Sequence, residues 1–186
     1  MGTLEIVILV VVLALLGAGA WYFMQIQKRK QLTGRFGPEY ERAVHDIGDR
    51  KEAERELEQR EQRVALLEIR PLDGDERARY AADWKRVQAR FVDEPVPAVE
   101  EADRLIGEVM QRRGYPMSDF DRRSADLSVD HPDVVQHYRA GHELAEHSRD
   151  GRADTEDMRQ AMVHYRALFI ELLEEAPRPD PTKSRS

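Results

Sequence analysis

Apolar residues form one uninterrupted block near the start of the chain, then thin, evenly spaced stripes. Residues 6–24 carry no charged side chain: branched aliphatics and leucines dominate up to Leu16, small residues follow, and Trp21, Tyr22, Phe23 and Met24 close the run. As a helix rising about 1.5 Å per residue, the stretch covers roughly 28 Å, close to the ~30 Å hydrocarbon core of a bilayer. The pattern predicts a transmembrane anchor over 4–26, with Trp21 and Tyr22 at the depth of an interfacial aromatic belt. Only the α-amino group and Glu5 precede the span, whereas Lys28, Arg29, Lys30 and Arg35 come after it. The positive-inside rule then sets the N-terminus outside and the rest of a single-pass protein on the cytoplasmic side of the cell (inner) membrane. Ala18-Gly19-Ala20 also spells an A-x-A cleavage site, the mark of an exported protein. The missing basic n-region and the basic residues just after the run disfavour that reading.

Residues 27–38 read as a juxtamembrane connector, broken by Gly34 and by Gly37-Pro38, with Pro38 placed to open the next helix. From 39 to 70 the chain is dense in opposite charges three or four apart, among them Glu52, Arg55, Glu56 and Arg60, each pair adding a few tenths of a kcal/mol to a helix. Tyr40, Val44, Ile47, Ala53, Leu57, Val64 and Leu67 trace a seam compatible with a short coiled coil, interrupted at Lys51 and Arg60. Residues 71–75 form a turn, with Asp73 or Asp75 as the cap of the succeeding helix.

The later stripes are clearer. Tyr80, Trp84, Val87 and Phe91 share one helical face, and Pro95 and Pro97 end that helix. Val99, Ala102, Ile106 and Val109 mark another, stopped by Arg113-Gly114-Tyr115-Pro116. A short helix is expected at 121–127, and Asp130-His131-Pro132 opens one with Val134, Tyr138 and Ala145 on a face. Asp154 or Thr155 caps the last, whose Met158, Met162, Tyr165, Phe169 and Leu172 form the strongest stripe. No period-2 run appears, so no strands are predicted. The expectation is an all-α fold: the anchor, then a four- to five-helix bundle over 39–176, then a disordered tail at 177–186.

Composition narrows the function classes. All 29 lysines and arginines and 35 of the 36 acidic residues lie beyond the anchor's apolar run, and the chain's net charge is −7, which gives no footprint for nucleic acid. The absence of cysteine removes disulfides, thiolate zinc sites and cysteine nucleophiles. His142-Glu143 and His147 resemble the H-E-x-x-H zinc motif, but the second histidine comes one residue late. Five residues along a helix rotate two side chains roughly 140° apart, so both cannot serve one metal. His131, His137, His142 and His147 remain a local concentration, enough for a small-ligand or metal-responsive alternative and no more. Glu100-Glu101 and Glu174-Glu175 diverge as neighbours on helices. No glycine-rich phosphate loop or nucleophile elbow is present, so no catalytic residues and no cofactor are predicted.

Three helix-to-helix corners stand out, at 91–95, 113–116 and 127–132, and the second and third can share one end of a bundle. Arg113, Tyr115, Asp130 and His131 are the candidate exposed contacts for a protein partner there. The phrases Trp84-x-x-Val87-Gln88-x-x-Phe91-Val92-Asp93, Arg113-Gly114-Tyr115-Pro116 and Leu127 to Pro132 also resemble uncharacterised single-span membrane or secreted proteins of actinobacteria and other GC-rich bacteria, over about 35–173. That resemblance implies a lineage and no activity. The reading from residues is a membrane-tethered cytoplasmic interaction module, an adaptor or scaffold, with the lipid bilayer and an unidentified protein as partners.

Overall fold

The computed structural model describes residues 2–174, leaving aside the side chains of residues 3–10 and 14. The described residues form eight α-helices and no strand. They divide into two compact units, Met1–Glu58 and Gln59–Ser186. The boundary falls inside a helix, within the 39–176 stretch that reads from sequence as a single domain.

The first unit contains α1 (Thr3–Phe36), α2 (Pro38–Ile47) and most of α3 (Arg50–Ala65). Gly34 does not break α1, so residues 27–36 of the expected connector at 27–38 belong to one continuous helix. A single glycine inside a helix costs only about 1 kcal/mol, too little to end one that is otherwise favourable. The break comes at Gly37, whose φ of 48° suits glycine and few other residues, and Pro38 opens α2 as its fixed φ favours. Gly48 ends α2 in the left-handed region at φ 79°, its N–H bonded to Val44 O at 3.0 Å. This cap interrupts the predicted 39–70 helix and its coiled-coil seam. Leu32, Phe36, Tyr40, Ala43, Ala53 and Leu57 are buried, and the Tyr40 hydroxyl donates to Glu54 Oε1 at 2.8 Å.

Part of the predicted anchor, and all of the 177–186 tail, lies outside the described side chains or residues. Among the described residues no helix is long and apolar enough to cross a membrane. Trp21, Tyr22, Phe23 and Met24 are each at least 60 % exposed.

The second unit is built from α4 (Gly74–Arg90), α5 (Pro95–Arg113), α6 (Phe120–Asp130), α7 (Val135–Arg149) and α8 (Thr155–Glu174). Helix α5 is its hub, packing against α4, α7 and α8, while α7 lies along α8 and carries α6. The stripes read from sequence supply the core: Tyr80, Trp84 and Val87 from α4, Val99, Ala102, Ile106 and Val109 from α5, and all five apolar positions of α8. Trp84 stacks on Phe169 with ring centroids 4.7 Å apart. Each such side chain, fully buried, contributes about 1.5–3 kcal/mol. Caps explain the helix starts. Asp73 and Glu76 form a reciprocal capping box on α4, Asp119 accepts from Arg122 N at the head of α6, and Asp154 and Asp157 exchange backbone-to-carboxylate bonds at α8. With Asp119 as its cap, α6 extends well beyond 121–127. Asp130 and His131 accordingly close α6, and the expectation that they open the next helix is corrected.

Candidate functional site

The corners at 113–116 and 127–132 do meet, but they meet inside the protein. The Tyr115 hydroxyl donates to Asp130 Oδ2 at 3.1 Å, and His131 Nδ1 lies 3.3 Å from Glu171 Oε1 on α8. Arg113, Tyr115 and His131 are buried and Asp130 half-buried, so the expected set of exposed contacts is corrected. The reason is periodicity: Arg113 falls four residues after Val109, and His131 four after Leu127, which continues each core stripe by one turn.

Arg113 is the centre of a fastener between three chain segments. Its Nη1 donates to Leu172 O at 3.2 Å, its Nε to Arg70 O at 3.3 Å, and its own carbonyl accepts from Arg70 N at 2.8 Å. Gly114 comes next at φ 103°, and a Cβ there would stand 2.5 Å from Glu68 O. Nearby, Arg70 grips Glu76 through two parallel bonds of 2.8 and 2.9 Å, and Arg112 donates to the same carboxylate. The Arg70 bond, with help from Asp73 N–H and Arg112, holds the Glu76 carboxyl at about 2. This corner joins the start of α4 to the ends of α5 and α8. Its charged groups pair with one another.

A second polar group lies where α5, α7 and α8 meet. The Tyr165 hydroxyl donates to Asp103 Oδ1 at 2.9 Å, His142 Nδ1 stands 3.5 Å from the same oxygen, and Phe120 stacks on the His142 ring at 3.7 Å. Burial works to raise the Asp103 carboxyl, but the bonds from His142 and Tyr165 outweigh it and hold it below its usual range. Burial, with Asp103 alongside, pushes the Tyr165 phenol far up. The Tyr165–Asp103 bond ties α8 to α5. His147 does not join His142, as the five-residue spacing implied. His137 instead pairs with His164, which sequence reading missed, Nδ1 to Nδ1 at 2.9 Å across α7 and α8. Among the described residues no group of three or more metal-binding side chains could hold an ion.

A groove of about 610 Å³ opens between α4 and α8. Trp84 and Phe169, the stacked pair, reach its floor, and Ala81, Ile170 and Leu173 extend the apolar lining. Arg77, Lys85 and Arg166 line it as exposed cations beside one exposed carboxylate, Glu174, and among the described residues none of the three cations has a carboxylate within ion-pairing distance. In a chain with 36 acidic residues against 29 basic ones, three cations to one carboxylate over an apolar floor run against the overall charge balance. The signal was present in the sequence: Lys85 and Arg166 have no Asp or Glu three or four positions away in either direction. It was missed because only their placement on facing helices makes them one group. A groove of this size, apolar with a few polar groups at its margins, has the make-up of a binding cleft. No protein family matches the chain, and neither a curated protein nor a solved structure is found to be similar to it.

Proposed function

We propose that this chain is a membrane-tethered interaction module, an adaptor or scaffold that brings a protein partner to the cytoplasmic face of the inner membrane. The observation that carries the reading is the α4/α8 groove, whose apolar floor and excess of cations at its margins suit the docking of a partner. The tether is residues 6–24, supported by 19 successive uncharged residues and by the basic cluster just after them. Exposed Trp21, Tyr22, Phe23 and Met24 add apolar surface that a bilayer interface would cover.

Topology tests it. A reporter active only outside the cytoplasm, fused after Ser186 and expressed in a bacterial host, should stay silent while the fusion sediments with membranes. An active reporter on a stable fusion overturns the orientation and favours an exported or extracytoplasmic protein. A fusion found wholly in the soluble fraction overturns the tether.

A metal-responsive domain is the second reading, and it rests on the His137–His164 pair alone. Two imidazoles fall short of the four ligands of a closed structural zinc site. Titration with zinc or nickel should show no binding tighter than micromolar; a tighter, stoichiometric site lost in His164→Asn would establish this reading instead.

A further inference from the structure

The α4/α8 groove has a charge pattern as well as an apolar floor, and together they specify what fits it. Arg77, Ala81 and Lys85 succeed one another at four-residue intervals on α4, all three lining the groove. The two cations therefore stand two turns, about 12 Å, apart along one helical face with a small side chain between them. On α8, Arg166 and Ile170 repeat the same interval, and Leu173 continues the apolar edge.

We propose that the groove receives an amphipathic helix of another protein, bearing carboxylates about two turns apart and apolar side chains between them that rest on Trp84 and Phe169. This rests on the docking function above and names its partner's chemistry. Helix-in-groove recognition uses such anchors at spacings of three, four and seven residues. A purely apolar partner would bury Arg77, Lys85 and Arg166 with Glu174 as the one carboxylate in the lining, and a basic partner would add net repulsion, so acidic groups on the partner are what make burial favourable. The chain's own segment 177–186 is the wrong sign for the role, with Arg178, Lys183 and Arg185 against Asp180 alone.

The test uses the purified full-length chain in non-ionic detergent micelles with Trp21→Phe, so that Trp84 is the only fluorophore of its kind. The probe is a synthetic alanine-based helix with two glutamates two turns apart and leucine and phenylalanine between them. We expect a saturable change in Trp84 emission with Kd on the order of 10–100 µM. Binding should weaken as salt screens the charges, and fall about tenfold or more in Lys85→Glu/Arg166→Glu, whose exposed positions leave the helical circular dichroism unchanged.

Equal binding of a lysine-for-glutamate peptide, undiminished binding to the double variant, or no saturation below ~1 mM overturns the proposal. So does wild-type self-association that the double variant abolishes, which would make a second copy the occupant. A Trp84 response to phosphatidylglycerol vesicles alone, matched by none to the peptide, would transfer the groove to lipid. Because binding is read in micelles, a reporter result against cytoplasmic orientation leaves this inference standing, and a failed titration leaves the tether standing.

Discussion

Arg113 Nη1 reaches the main-chain carbonyl of Leu172 at 3.2 Å, tying the C-terminal end of α5 to the last turn of α8. A buried guanidinium thus gives a main-chain carbonyl of α8 a charged donor. Arg113→Ala should leave both the Leu172 and Arg70 carbonyls without that donor. About 1–3 kcal/mol is expected for each acceptor stranded in the interior. A urea denaturation series checks this through the midpoint; a shift worth less than ~0.5 kcal/mol, the scale of an ordinary surface substitution, would show that the contact carries no weight.

Gly114→Ala tests the adjoining turn. The new Cβ would meet Glu68 O at 2.5 Å while the backbone stays at φ 103°, outside the range that alanine tolerates. Strain of about 1–3 kcal/mol from the backbone alone is expected, with the backbone clash added. Thermal unfolding should show a clear loss, whereas Gly34→Ala, mid-helix with open space around it, should be neutral or stabilising by up to about 1 kcal/mol.

Glu76 should contribute to acid sensitivity. Its carboxyl sits at about 2 in the folded protein against an ordinary 4.5, so at intermediate pH the unfolded chain binds a proton that the folded one does not. The stabilisation is whole above about 4.5 and drains away as pH falls toward 2. Urea midpoints from pH 2 to 6 should slope in that window for the native chain, and the slope should shrink in Glu76→Gln. Equal slopes for the two would mean that Arg70 and Arg112 do not hold the carboxylate in solution.

His164 should give the opposite end of the profile. Burial, then the neighbouring His137, keeps its pKa below the ordinary 6.5. As pH falls through 6.5 the unfolded chain protonates first, so stability is full above that value and declines below it until the folded ring also takes a proton. His164→Asn should flatten the dependence just below pH 6.5. Nitrogen chemical shifts of both rings across the range would show directly which one keeps the shared proton.

Much of this architecture was legible as periodicity. The α4, α5 and α8 stripes and the Asp73 cap were readable because burial on one helical face leaves a repeat of three and four, and capping needs particular side chains at particular places. The polar end of each stripe misled. Arg113 and His131 looked like surface residues by type, yet their positions continue the core face, and position decided. Gly34 misled in the opposite sense, since glycine punctuates a helix only where neighbours also favour stopping. The His137–His164 pair and the α4/α8 groove were not legible, because each joins residues on different helices and local spacing carries no information about which helices face each other.

The unbroken course of α1 has a mechanical consequence. Between Thr3 and Phe36 the chain offers no joint, so axial rotation or tilt imposed on its first turns is delivered as torque to Leu32 and Phe36, which are buried. The earliest point where that motion can be absorbed is Gly37, the first residue at positive φ. Lengthening α1 by one residue ahead of Leu32 would turn this buried pair by about 100° relative to everything upstream, whereas seven added residues would nearly restore the phase. The rotational phase of α1, more than its length, therefore sets which upstream face lies in line with Leu32 and Phe36.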